Sequence, residues 1–143
     1  MCLRSGSPMS TLFHWPVRVY WEDTDAGGVV YHASYLRFLE RARTEWLRQL
    51  GVDQMAFKQA TGLAFMVHRM EIDFLKPALL DDELTVTVEV KECRSASILF
   101  AQAITRADGA TLIQAQVRAA CVDLKRMQPA RIPDEIAGRI DRE

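Results

Sequence analysis

The stretch YWEDTDAGGVVYHASYLRFLERARTEWLRQLG, residues 20–51, organises the chain around one long helix. Its apolar side chains recur every three or four positions, the spacing of one buried helix face; they are Tyr35, Phe38, Leu39, Ala42, Trp46 and Leu50. Gly51 supplies a stop for the helix. The acidic turn before it delivers Asp23 and Asp25 to the helix end where backbone N–H groups lack partners, and such donors hold negative charge.

Alternation of apolar and polar residues predicts five strands around this helix. They cover residues 17–22, 66–74, 84–91, 96–106 and 112–121. Between Gly51 and Gly62 the chain forms a short helix or an irregular connection, and a turn or two of helix is expected from Asp134. Consecutive strands joined by tight turns imply an antiparallel sheet with one helix on its apolar face. The fold class is therefore α+β.

One helix on such a sheet leaves an edge strand and some apolar surface uncovered. Pairing with an identical subunit is the usual remedy, so we expect a homodimer or a homotetramer. At 143 residues the chain forms one domain, which we place at residues 11–143. Residues 1–10 carry no structural pattern and are expected to be a disordered extension, and Met9 is a second candidate start.

Composition excludes several classes of function. With 49% hydrophobic residues, 26% charged residues and a net charge of −1, there is no basic excess for a nucleic-acid partner. No apolar run is long enough to span a membrane, and the N-terminal residues lack a secretory signal. The three cysteines are widely spaced and form no CxxC zinc or redox pattern. We expect a cytoplasmic protein.

The acidic turn Asp-Thr-Asp-Ala-Gly-Gly, residues 23–28, resembles the start of a calcium loop. The pattern fails because Gly27 and Ser34 stand where an EF-hand needs acidic or amide ligands. A purely structural interpretation stays open, in which the glycines allow a tight turn and the aspartates bind local amides.

Few other residues offer chemistry. His68 is expected in the core, on an apolar strand face, and His14 in a mobile N-terminal segment. The sequence has no GxSxG elbow, phosphate loop or metal-binding spacing, so neither a metal nor a redox cofactor is implied. Chemistry would then depend on carboxylates, His32 and backbone amides.

The run YWEDTDAGGVVYHASYLRFLERAR resembles the signature of hotdog-fold thioesterases. It is similar to the 4-hydroxybenzoyl-CoA thioesterase family, and most to its Tol–Pal-associated acyl-CoA thioesterase branch. The resemblance continues through FLKPA, LDDEL and the closing CVDLKRMQP, so it covers nearly the whole chain after Met9. It implies a hotdog fold, a long central helix wrapped by a curved antiparallel sheet of about five strands.

The resemblance also implies roles for particular residues. Asp25 matches the catalytic carboxylate of the family, and the backbone N–H of His32, seven residues later, would receive the thioester carbonyl. Tyr31 and the His32 side chain would line the same pocket, which in the family is formed between subunits. Some hydroxybenzoyl-CoA enzymes carry a basic cluster at the position of Arg94. Only Arg94 is basic there in this chain, so coenzyme A and another pantetheine carrier both stay open.

Thioester chemistry suits so small a set of groups, because a typical leaving thiol has a pKa of about 8.5. A carboxylate either attacks the carbonyl or takes a proton from water, and the sequence leaves both routes open. We therefore expect a thioesterase acting on acyl-CoA or acyl carrier protein thioesters, of unspecified chain length. The alternatives are a hotdog hydratase or dehydratase, and a non-catalytic module that binds acyl thioesters or docks to an envelope complex.

Overall fold

The computed structural model describes residues 12–142 and the side chains as far as Ile140. The expected extension at residues 1–10 and the candidate start at Met9 lie outside the described residues. The elements follow in chain order: β1 Phe13–Arg18, α1 His32–Gln49, α2 Gln54–Thr61, β2 Leu63–Phe74, β3 Glu83–Cys93, β4 Ser97–Arg106, β5 Thr111–Asp123, β6 Gln128–Pro129 and α3 Asp134–Arg142.

The strands form one antiparallel sheet in the order β1-β3-β4-β5-β2, with the short β6 paired to β5. The helix α1 packs on this curled sheet, so the predicted α+β hotdog architecture is confirmed. Within the described residues, β2 pairs only with β5 and therefore forms one edge of the sheet. None of the described helices is long and apolar enough to cross a membrane.

The apolar face predicted for α1 is buried against the sheet. Phe38, Leu39 and Ala42 have no exposed surface. Burying a Phe or Leu side chain contributes roughly 1.5–3 kcal/mol each, so this face holds the helix on the sheet. The helix ends where predicted, since Gly51 adopts a positive φ of 85°. The connection after it is the short helix α2, closed by Gly62.

The first predicted strand was placed too late in the chain. The strand β1 ends at Arg18, and Trp21 begins a three-residue 3-10 helix with its side chain 79% exposed. The alternation of Val17, Val19 and Trp21 did not mark that break, because Trp21 continues the apolar period past the strand end. His14 lies in β1, paired with Thr87, and not in a mobile segment.

A bulge in β2 changes the face on which the side chains lie. The register with β5 shifts between Val67 and Arg69, so His68 is the extra residue. His68 is exposed, and its prediction as a core histidine is wrong. Before the bulge Phe65 packs on the core, and after it Met70 does. The inserted residue moves the buried side chains from odd-numbered to even-numbered positions. A prediction from regular alternation cannot include this change.

The remaining strands follow the predicted pattern. The apolar residues that alternate with polar ones along β3 and β5 are buried: Leu84, Val86, Val88, Val90, Ile113, Ala115, Val117, Ala119 and Cys121. Leu112, which precedes Ile113 and so lies on the opposite face of the strand, is also fully buried. The helix predicted from Asp134 is α3, whose Ile136 and Ile140 join the core.

Candidate active site

The acidic turn holds the Asp25 side chain through backbone groups. The Asp25 N–H donates to the Val29 carbonyl at 2.9 Å, and the Gly28 N–H donates to the Asp25 carbonyl at 3.0 Å. Gly28 has φ of +80°, a conformation that favours glycine. The Gly27 N–H donates to Asp25 Oδ1 at 2.8 Å, and a Cβ at Gly27 would lie 3.2 Å from that oxygen. Gly28 therefore allows the positive φ of the turn, and Gly27 leaves room for the Asp25 carboxylate.

The two aspartates of the turn have different environments. Asp23 is 6% exposed, and its Oδ2 accepts from the Tyr20 N–H at 2.9 Å. Its carbonyl accepts from the Tyr31 N–H at 2.9 Å, which ties the turn to the start of α1. Asp25 is exposed, and within residues 12–142 its Oδ2 makes no hydrogen bond. Asp23 therefore has a structural role, while Asp25 keeps an oxygen open to solvent.

The N-terminus of α1 lies beside this turn with free amide groups. The N-cap residue Tyr31 gives no side-chain cap, whereas Ser, Thr, Asp or Asn would normally bond the first-turn amides. The Ser34 N–H bonds to the Tyr31 carbonyl at 2.9 Å. The N–H groups of His32 and Ala33 have no acceptor among the described residues. Unpaired donors and the positive end of the helix dipole together favour an anion here.

Aromatic contacts position the side chains at the helix start. The His32 ring packs edge-on against Phe74, at the end of β2, with the ring centres 4.8 Å apart. The Tyr31 ring lies 6.1 Å from that of His32 and is 56% exposed. Both predicted pocket residues therefore lie at the helix start, next to the turn that carries Asp25.

The segment between β2 and β3 links the acidic turn to α1 through hydrogen bonds. The Val30 N–H donates to the Ala78 carbonyl, and the Ala78 N–H donates to the Tyr35 hydroxyl, each at 2.9 Å. Burial raises the pKa of the Tyr35 phenol; the Ala78 hydrogen bond opposes that rise, and the charge of Asp82 adds to it. The spacing of apolar residues predicts Tyr35 only as part of the buried face of α1. Its hydroxyl on an otherwise apolar helix face was the available signal.

The structure does not bring Arg94 to these residues within one chain. Arg94 lies in the β3–β4 turn, where its N–H donates to the Ser97 carbonyl at 2.8 Å and its side chain pairs with Glu92. The segment before β3 contacts the acidic turn through the Val29–Leu79 bridge. The eleven residues of β3 lie between that segment and Arg94. In an extended strand they span about 35 Å. A shared role requires a second subunit.

Comparison with known proteins gives one family. The family model described as the thioesterase-like superfamily matches residues 19–140. The acyl-CoA thioesterase YbgC of Haemophilus influenzae is 52% identical over 124 residues, covering 87% of this chain and 90% of that protein. The acyl-CoA thioester hydrolase YbgC of Escherichia coli O6:H1 is 49% identical over 127 residues, covering 89% and 94%.

Solved structures agree with these sequence matches. The crystal structure of a 1,4-dihydroxy-2-naphthoyl-CoA thioesterase from Synechocystis superposes with a TM-score of 0.84 at 25% identity. It covers 91% of this chain and 96% of that one. The likeness therefore extends over the whole sheet and its helix, not over a local motif.

Proposed function

The chain belongs to the thioesterase-like superfamily, and we propose that it hydrolyses acyl-CoA thioesters to the free acid and coenzyme A, with Asp25 as the catalytic carboxylate. One observation carries the proposal. The exposed Asp25 carboxylate is held in a turn tied to the N-terminus of α1, and the first amides of that helix are free. A carboxylate and oxyanion donors are the two groups that thioester hydrolysis needs.

Asp25 and the amides at the start of α1 allow two routes of thioester hydrolysis. Asp25 attacks the thioester carbonyl, the C–S bond breaks, and the thiolate leaves and takes a proton from solvent. Water then adds to the mixed anhydride and gives the acid and Asp25. Alternatively, Asp25 takes a proton from water, the hydroxide attacks, and the thiolate leaves and is protonated. In both routes the carbonyl oxygen gains negative charge, which the His32 N–H stabilises. Such a donor lowers the barrier by about 3 kcal/mol.

The side chains of His32 and Tyr31 frame the reacting group. His32, fixed by Phe74, positions water or the Asp25 carboxylate. Tyr31 lines the pocket with its exposed ring.

The proposed enzyme works as a homodimer or a homotetramer in the cytoplasm. The edge strand β2 exposes Met66, Val67 and Phe74 by 43%, 47% and 46%. Open strand edges with apolar side chains favour pairing with a second copy. Such an assembly also allows Arg94 of one subunit to bind the carrier phosphates at the Asp25 of another. An acyl carrier protein thioester as substrate, and a Tol–Pal association, stay predictions.

The test is release of free thiol from a panel of short, long-chain and aromatic acyl-CoAs, with the acid product measured in the same samples. Hydrolysis gives thiol and acid in equal amounts. Addition of water across a double bond without thiol release would instead indicate a hydratase. Saturable binding without turnover would indicate a binding module, and acyl carrier protein thioesters would form the next panel.

A further inference from the structure

A row of arginines runs along the solvent side of α1. Arg37, Arg41 and Arg48 are exposed, and their spacing puts them on one face of the helix. Leu39, two positions before Arg41, is fully buried on the opposite side, against the sheet. We call the three exposed residues the α1 arginine row.

The row presents positive charge that the rest of the described chain does not neutralise. Among the described residues, neither Arg37 nor Arg41 forms an ion pair. Arg37 Nη2 donates to the neutral Ser34 hydroxyl at 2.8 Å, and Arg48 pairs with Glu45 at 2.6 Å. Because the whole chain has a net charge of −1, this positive row is a local feature of α1.

The row begins beside the candidate active site. The Ser34 hydroxyl, which accepts from Arg37, donates to the Asp23 carbonyl in the acidic turn at 3.4 Å. With a rise of 1.5 Å per residue, Arg37 and Arg41 lie about 8 and 14 Å along the helix axis from His32. A macromolecule that rests on the row is therefore next to the turn that carries the proposed catalytic carboxylate.

We propose that the α1 arginine row docks the acidic surface of an acyl carrier protein, which delivers its acyl thioester to Asp25. The inference rests on the proposed function and extends its substrates from acyl-CoA to a protein-bound thioester. Both substrates carry the thioester at the end of a flexible pantetheine arm, so the chemistry is the same. Water adds to the carbonyl and the C–S bond breaks, which leaves the free acid and the thiol of the carrier.

A protein carrier fits the row better than other large anions do. A nucleic acid needs enough cations to neutralise several phosphates, and three arginines on a chain of net charge −1 do not supply them. A membrane surface favours apolar side chains that insert beside the cations, whereas the polar Thr44 lies between Arg41 and Arg48 on this face. An acidic helix laid along α1 places carboxylates against the arginines and keeps its arm near the site.

A second basic surface lies in the turn between β5 and β6, at the wrong end of the sheet for this role. Lys125 and Arg126 are exposed there. That turn adjoins the first residues of β2, whereas Phe74, at the last residue of β2, contacts His32. The twelve residues of β2 span roughly 40 Å in an extended strand. Arg126 is therefore a control position that has the same charge and is distant from the site.

Hydrolysis of one acyl group on two carriers tests the inference. The substrates are the best acyl-CoA of the panel and a recombinant acidic acyl carrier protein charged with the same acyl group. The variants are Arg37→Glu, Arg41→Glu and the charge-keeping Arg41→Lys, and Arg126→Glu is the matched control. Thiol release gives kcat/KM for both substrates at low and high salt. Circular dichroism and light scattering check the fold and the oligomer.

Arg37→Glu and Arg41→Glu should each lower kcat/KM for the carrier thioester by about tenfold at low salt, because a repulsion replaces an attraction at the docking surface. Both variants should hydrolyse acyl-CoA at the wild-type rate. Arg41→Lys and Arg126→Glu should resemble wild type on both substrates. Higher salt should lower the wild-type rate on the carrier thioester and narrow its lead over Arg41→Glu.

An unchanged rate of Arg41→Glu on the carrier thioester overturns the inference, even if Arg37→Glu disturbs the acidic turn through Ser34. Equal losses on both substrates also overturn it, because they place the arginines at a group that both substrates share. Binding to phosphatidylglycerol vesicles that Arg41→Glu abolishes, with no effect on the carrier thioester, overturns it in favour of a membrane surface. A wild type that hydrolyses only acyl-CoA overturns the docking and leaves the proposed function intact.

Discussion

Two aspartates, two positions apart, do different things in this chain. Asp23 is buried and holds the turn through the backbone, whereas Asp25 is exposed and keeps one oxygen open. The pattern D-x-D is symmetric in composition, and the fold gives its two carboxylates different environments. Removing Asp23 should therefore act on the turn itself, while removing the charge of Asp25 should act on the reaction alone.

A hydroxyl on α1 supports the acidic turn, and its loss should be measurable as stability. In Tyr35→Phe, the buried Ala78 N–H loses its acceptor. Leaving such a donor unsatisfied costs about 1–3 kcal/mol in the free energy of unfolding. Urea denaturation measures it, with Tyr20→Phe as the control, since Tyr20 is 60% exposed. Equal stabilities of the two variants would remove Tyr35 from this role.

The same residue gives a pH dependence of stability. The pKa of Tyr35 is raised in the folded state above the usual value of about 10 for a tyrosine phenol, chiefly by burial. The folded protein therefore holds this proton more tightly than the unfolded chain does. The resulting stability is fully present below pH 10 and is lost as pH rises through the folded pKa. Urea denaturation at pH 9 and pH 11 should show a larger loss for wild type than for Tyr35→Phe.

At the scale of elements, the N-terminus of α1 is the part that we propose acts on the thioester carbonyl. Proline is well accepted at the first position of a helix, and it lacks the N–H. Tyr31 before it has φ of −70° and ψ of 143°, the conformation that a following proline requires. His32→Pro should therefore keep the helix and remove the proposed oxyanion donor. His32→Ala removes only the imidazole.

We expect the kcat of His32→Pro to lie about 100 to 1000-fold below that of His32→Ala, the usual effect of one lost oxyanion donor. Circular dichroism should show the same helix content in both. Thiol release under saturating substrate gives the comparison. Equal kcat values for the two variants would mean that this amide does not bind the developing oxyanion.

The periodicity of the sequence predicted most of these elements, and the exceptions have local causes. The face of α1 and the inward residues of β3 follow directly from spacing, because one face of each is buried. The bulge at His68 and the end of β1 before Trp21 do not follow from spacing. At both places the apolar alternation continues in the sequence, although the backbone departs from a regular strand. Arg43 lies outside the apolar spacing of α1 and is nevertheless buried, where it donates to Gln102, a residue distant in sequence.

The residues of the candidate site that lie close together in the sequence were predictable, and those joined by distant contacts were not. The resemblance gave Asp25, His32 and Tyr31 as neighbours because all three lie within one short stretch. The hydrogen bond from the Ala78 N–H to Tyr35 joins residues 43 positions apart, and no local pattern reports it. Within one chain, the structure places Arg94 at the far end of β3 from the acidic turn, so no single-chain pattern could have tested its proposed role.

At the scale of the whole molecule, the distance between Arg94 and the acidic turn predicts a site shared between subunits. Arg94→Ala should raise KM for acyl-CoA and leave kcat nearly unchanged, because a phosphate contact acts equally in the ground state and the transition state. An unchanged KM would show that Arg94 does not bind the carrier.

A mixture of the Asp25→Asn and Arg94→Ala variants tests directly whether the site is shared between subunits. The assay uses substrate concentrations at which Arg94→Ala is nearly inactive. A mixed dimer of Asp25→Asn and Arg94→Ala carries one site with both native residues. Random mixing at equal amounts should therefore restore roughly a quarter of the wild-type activity. Activity no higher than the average of the two parents would place both residues in the same subunit's site.

The most direct test of the central claim compares Asp25→Asn with Glu22→Gln in thiol release from the best acyl-CoA substrate. Both variants remove one exposed negative charge from the same part of the chain, and Glu22 lies in the 3-10 helix before the turn. Asp25→Asn should lower kcat by about 100 to 10,000-fold with an unchanged fold and oligomer, whereas Glu22→Gln should retain wild-type activity. A folded Asp25→Asn variant that turns over at the wild-type rate would contradict the account.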